Sequence, residues 1–266
     1  MQIIHRISQH VDAAKQLQLH CLGIDVECGL AAFEVKESAR SWPALARLIA
    51  KWDSLDIVRT EFESDELQGA NYLVTRAAWH YGYPQPDADF GYLRHTYNLD
   101  NYCSACGTGY VLADSFLMRR EPKWGAKHIL QLNWVFDEFF TTPSVWRSAF
   151  APFGIGCLPV RSSANGADLQ TVVQLDLHNV SQVSLRMDPA ATFEDCAVCR
   201  RRKYEPHVRG YFPPLVDPAA APVMKSVEYF GSGGSASNAI VISQALYQAI
   251  RRNKLRGVRF VPVRDS

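Results

Sequence analysis

The stretch Asp-Asn-Tyr-Cys-Ser-Ala-Cys-Gly-Thr-Gly-Tyr-Val, residues 100–111, places two thiols two residues apart and follows them with Gly107 and, a little further on, an aromatic ring. A pair so spaced, closed by a glycine, makes a tight turn that aims both sulfurs at one point. A metal ion that prefers four sulfur ligands needs a second such pair.

That pair is Cys196 and Cys199, in Asp-Cys-Ala-Val-Cys-Arg; of the seven cysteines, Cys21, Cys28 and Cys157 stand alone. Two CxxC pairs point to a structural, four-sulfur zinc site built from Cys103, Cys106, Cys196 and Cys199. A thioredoxin-like redox motif, a pair of disulfides or unrelated core cysteines would each leave the repeated spacing unexplained. The run Gly107-Thr108-Gly109 also favours a turn over the helix start that a redox pair requires. Between Cys106 and Cys196 lie residues 107–195, far more than a compact zinc ribbon holds, so the site would join distant parts of the chain.

With 266 residues the chain can bury a core without staples, and 47% hydrophobic against 21% charged residues is the balance of a globular protein. No apolar run reaches the roughly 18–20 residues of a membrane span. The N-terminus lacks the basic start, apolar centre and small-residue cleavage site of a secretory signal, and a cytoplasmic location is expected. The net charge of +1 hides a split: residues 1–100 hold 9 Lys/Arg against 14 Asp/Glu, the remainder 19 against 13. The acidic run Asp53, Asp56, Glu61, Glu63, Asp65 and Glu66 is the densest part, and would suit a basic protein partner.

Residues 134–160 and 239–263 share one order: strand, cap, helix, Gly, strand. Thr142 with Pro143, and Ser243, are the caps; the helices end near Gly154 and Gly257; both strands close in Pro-Val, at 159–160 and 262–263. An internal duplication follows, each copy a knuckle plus a strand–helix–strand unit. The expected fold is α+β with two similar lobes joined by a discontinuous four-cysteine zinc ribbon. Its parts are an acidic region with an aromatic cluster (1–100), a first copy (101–188) and a second (189–266). Residues 41–51 read as a helix with Ser41 as its cap and Leu45, Leu48 and Ile49 on one face; 168–186 read as strand.

No nucleophile elbow or P-loop is present, and Gly231-Ser232-Gly233-Gly234-Ser235 reads as a flexible loop. Asp137 and Glu138 are adjacent on a predicted strand, which would point them to opposite faces. The aromatic clusters at 79–83 and 92–97 suit a core or a groove lining. Arg200, Arg201, Arg202 and Lys203 offer an alternative reading as phosphate contacts of a nucleic-acid-associated zinc ribbon. An enzyme with a dispersed site is a further alternative; no catalytic set is assigned.

The segments Cys103-Ser-Ala-Cys106-Gly107, Cys196-x-x-Cys199 and Ile-Val-Ile-Ser…Gly-Val-Arg-Phe-Val-Pro-Val resemble bacterial double-CxxCG proteins and related immunity-type proteins of polymorphic toxin systems. The resemblance implies a cytoplasmic protein that neutralises a cognate toxin by binding it. Arg200 stands where the family pattern has glycine.

Overall fold

The computed structural model describes residues 1–265, an α+β structure in two compact units: Met1–Glu66 with Val208–Gly210, and Leu67–His207 with the residues from Tyr211 onward. No helix among the described residues is long and apolar enough to cross a membrane.

In the smaller unit Gln2–Val11 is the central strand of three, with Gly29–Lys36 and Leu55–Glu61 antiparallel on either side. The helices Ala13–His20 and Trp42–Trp52 set Leu19, Leu45 and Ile49 against Ile7 and Val11. Asp12 caps the first by accepting from the Lys15 amide at 2.8 Å. The second is the helix expected near 41–51, but the Ser41 side chain makes no cap hydrogen bond. Pro43, in the first turn, loses no hydrogen bond there and starts the helix by its fixed φ. Strand alternation leaves Leu30 at 86%, Leu55 at 60% and Ile57 at 52% exposure.

The larger unit begins well before residue 100, because Tyr72–Ala77 is built into its largest sheet. Two crossovers organise it. In a five-stranded sheet Phe140–Thr141 and Cys157–Ser162 run parallel, with Asp168–Leu175 antiparallel between them. In a seven-stranded sheet Ser237–Ser243 and Val258–Pro262 run parallel, with Tyr72–Ala77 antiparallel between them. The registers correspond: Val173 lies between Thr141 and Pro159, and Leu73 between Ile242 and Pro262.

Each crossover is capped as read from the sequence, Thr142 accepting from the Val145 amide and Ser243 from the Leu246 amide. Gly154 (φ 74°) and Gly257 (φ 115°) follow the helices. At Gly257 a side chain is impossible, since a Cβ would lie 1.8 Å from the Ile129 carbonyl oxygen. Leu246 and Ile250 of one helix and Phe150 of the other pack with Leu73, Leu175, Ile240 and Ile242 in a single core. The two strand–helix–strand units therefore share one interior instead of each closing its own lobe.

Two further readings change. Residues 134–139 are irregular, a turn at Trp134 and a bend at Asp137, with strand only at Phe140–Thr141; Trp134 has φ 67°, which an extended strand does not permit. The run 168–186 breaks into Asp168–Leu175 and Ser181–Val183, which belong to different sheets. The prolines sit where ladders fail. Pro262 ends an edge strand, and the register shifts directly after Pro159.

Candidate metal centre

Both CxxC pairs adopt the same turn. In the first, the Cys103 amide donates to the Thr108 carbonyl (2.9 Å) and the Gly107 amide to the Cys103 carbonyl (2.7 Å). In the second, the Cys196 amide donates to the Arg201 carbonyl (3.0 Å) and the Arg200 amide to the Cys196 carbonyl (2.9 Å). Gly107 (φ 76°) and Arg200 (φ 66°) hold the left-handed position that reverses each chain.

The four sulfurs converge. Cys103 Sγ lies 3.8 Å from Cys196 Sγ and Cys106 Sγ 3.6 Å from Cys199 Sγ, and all four lie within 4.8 Å of one another. Four sulfurs placed about 2.3 Å from a common centre form a tetrahedron with edges of about 3.8 Å. The observed contacts are of that length and far beyond a disulfide bond. Cys103, Cys106 and Cys196 are buried and Cys199 is half-buried. The set fits a metal ion, and it joins two turns that 89 residues separate in sequence.

The backbone favours thiolate at the second pair. The Arg201 amide pulls the Cys199 thiol down to about 6, and the Cys199 and Val198 amides lower Cys196. Burial pushes Cys106 up to about 11, against hydrogen bonds from Thr108. Thiolate ligands around a divalent ion carry net negative charge, and two cations stand nearby. Lys203 is buried and donates to the Cys106 (3.4 Å) and Gly233 carbonyls, while Arg201 donates to the Asn101 carbonyl at 2.7 Å.

The basic run thus serves the fold as much as the surface. Arg202 pairs with Asp195 at 2.8 Å and lies over the Phe193 ring; Arg200 alone of the four is exposed with no such pairing shown. In the acidic run, Asp53, Glu61, Glu63 and Asp65 are exposed. Asp56 is half-buried and accepts from His5 at 2.9 Å, Glu61 pairs with Arg59 and Glu66 with the N-terminal amine.

Asp137 and Glu138 do not diverge: both approach Lys225 Nζ, at 3.8 and 2.7 Å, in the protein interior. Their irregular backbone, unlike a strand, lets neighbours face one way. Gln174 also donates to Glu138 at 3.2 Å, and burial raises the Glu138 carboxyl to about 7 despite Lys225. Lys225, 87 positions beyond Glu138, carried no local pattern that marked it as their partner.

The aromatic cluster at 92–97 and the Gly231–Ser235 segment also meet. The latter is the connection between two antiparallel strands and packs on the first knuckle, where a Cβ on Gly107 would lie 2.4 Å from the Gly234 carbonyl oxygen.

No family model matches this chain, and no curated protein or solved structure does.

Proposed function

We propose that Cys103, Cys106, Cys196 and Cys199 hold one structural zinc ion, and that the chain is a zinc-stabilised bacterial protein that binds another protein, as an immunity protein binds its toxin. The sulfur-only, tetrahedral donor set supports zinc, and four protein ligands leave no position open for water or substrate. Elemental analysis of purified protein checks this: one zinc per chain is expected, and iron or no metal overturns it.

The binding reading is carried by the smaller unit's open sheet face. Leu30, Leu55 and Ile57 are exposed there, beside the Arg59–Glu34 ion pair. Exposed apolar side chains ringed by charge suit a protein interface. The exposed carboxylates Asp53, Glu61, Glu63 and Asp65 would speed association with a basic toxin. Co-expression with a toxin encoded beside this chain tests the reading. Protection from that toxin is expected, and Leu55→Glu with Ile57→Glu should abolish it without changing thermal unfolding. Full protection by the double variant defeats the reading.

An internal duplication also belongs to this proposal. If each copy runs inserted strand, knuckle, strand, helix, strand, the first copy starts at Tyr72–Ala77 and the second at Asp168–Leu175. Each inserted strand then completes the other copy's sheet, so the copies have exchanged strands. The matching registers around Val173 and Leu73 support this, as does the matching geometry of the knuckles.

A further inference from the structure

A cavity of about 560 Å³ opens beside the first knuckle, walled by Phe90, Tyr92, Tyr97, Tyr110, Trp134 and Phe136 and floored by Ser104, Gly107 and the Ser232–Ala236 connection. Its size is that of a small-molecule site. No Lys, Arg, His, Asp or Glu is among the described residues that line it, so it offers no side-chain cation to a phosphate or carboxylate.

The rings form a box. Phe90 and Trp134 meet at 49° with centroids 4.8 Å apart, Tyr97 and Tyr110 at 54° and 4.6 Å, Tyr92 and Tyr97 at 65° and 6.5 Å. Rings at such mutual angles line the cavity in several orientations. Tyr92 and Trp134 do lie nearly parallel, at 22° and 6.3 Å, but that is the spacing of two rings in contact with each other and leaves no slot for a flat ring between them. Ring faces carry the negative end of the aromatic quadrupole and attract a cation.

Tyr92 and Tyr97 are more than nine-tenths buried, and Tyr110 donates its hydroxyl to the Ala236 carbonyl at 3.0 Å. Burial and the nearby Asp137 carboxylate hold Tyr97 well above its ordinary value, so it stays a neutral phenol whose oxygen can accept. Asp137 is itself buried with Oδ1 unpartnered, while its Oδ2 lies 3.8 Å from Lys225 Nζ, so the negative potential it adds behind the wall is partly offset. On the rim, Phe90 (φ 52°) and Trp134 (φ 67°) are about half exposed and hold left-handed backbone. That conformation costs on the order of 1–3 kcal/mol for such residues and recurs at ligand sites.

We propose that this cavity is an aromatic cage for a methylated ammonium group, presented either by a small quaternary amine or by a methylated lysine side chain. The cavity is lined by residues of the larger unit alone, and the proposal does not rest on the binding reading given for the smaller one.

Ligand-observed NMR on the zinc-loaded full chain tests it, with three probes: choline, a short peptide carrying trimethyllysine, and the neutral isostere of choline in which carbon replaces nitrogen. Saturable broadening of the methyl signal is expected for choline, the peptide or both, and which of them binds identifies the source. The isostere should bind about tenfold more weakly, the scale of a desolvated cation–π contact. Trp134→Leu should weaken binding by a similar factor with unchanged thermal unfolding. Should that variant unfold, Phe136→Leu, at a half-exposed ring, replaces it. Equal binding of the isostere would reduce the cavity to an apolar pocket, and no binding of either cation, or full binding by the folded variant, overturns the proposal.

Discussion

Gly107 and Arg200 occupy the same position in two equivalent turns, each one residue past the second cysteine of its pair, with φ of 76° and 66°. Only glycine holds that conformation without steric cost; for other residues it costs about 1–2 kcal/mol. Arg200→Gly should therefore stabilise the metal-loaded protein by about 1 kcal/mol, read as a rise in thermal midpoint. Gly107→Ala should do the opposite and by more. It adds the same strain and drives a Cβ to 2.4 Å from the Gly234 carbonyl oxygen, where backbone must shift. An Arg200→Gly variant no more stable than the parent would show that the two turns are not equivalent.

Removing the metal should loosen parts of the chain remote in sequence. Each knuckle donates two sulfurs, so neither pair can hold a closed four-ligand site alone. Cys103→Ser and Cys196→Ser should each cost several kcal/mol, of the order expected where metal binding is coupled to folding, and the two losses should agree. Denaturant titrations with and without chelator measure this. A chelator without effect on stability, or a loss confined to one pair, contradicts a shared ion.

The buried Asp137–Glu138–Lys225 group makes stability depend on pH. Glu138 has its carboxyl raised to about 7, so between the ordinary carboxylate value and 7 the folded state holds a proton that the unfolded state has released. Stability from this group is therefore present at low pH and falls as pH rises through that window. Lys225→Met would leave two carboxylates without their cation, at a cost of about 3–5 kcal/mol when both are charged. The loss measured by urea unfolding should be larger at pH 8 than at pH 5.5. A loss independent of pH would place Glu138 in one charge state throughout.

What the sequence disclosed was local chemistry. The CxxC pairs, the capping Thr142 and Ser243 and the helix-ending Gly154 each act within a few residues, and all were legible; Gly257 lies beyond the Asn253 cap of its helix and faces the Ile129 carbonyl instead. Strand partnership was not. Tyr72–Ala77 is separated from both of its neighbours by more than 150 residues, and nothing in its side chains names them. Asp137 and Glu138 were misread because alternation assumes extended backbone, and the left-handed Trp134 had already ended it. The cavity escaped for a related reason: Phe90, Trp134 and Ser232 each look like ordinary loop residues until the sheets bring them together.

The exchange of inserted strands yields the last prediction. A cut between Asn165 and Gly166 falls in an exposed turn joining Cys157–Ser162 to Asp168–Leu175, where a Gly166 side chain would meet nothing. Such tips tolerate nicking. A protease site inserted there should be cleaved in the native protein without loss of structure, because each fragment keeps its place by strand pairing. The N-terminal fragment retains Tyr72–Ala77, which the C-terminal crossover needs. The C-terminal fragment retains Asp168–Leu175, which fills the N-terminal one, and each supplies two of the four sulfurs. The fragments should co-elute in gel filtration with the circular dichroism of the intact chain and separate only when chelator and denaturant act together. Expressed alone, either should lack a middle strand and half of the metal site, and its share of the larger unit should remain unfolded. A native-like, monomeric fragment on its own would mean that the crossovers do not depend on one another, and the exchanged-strand duplication would have to be abandoned.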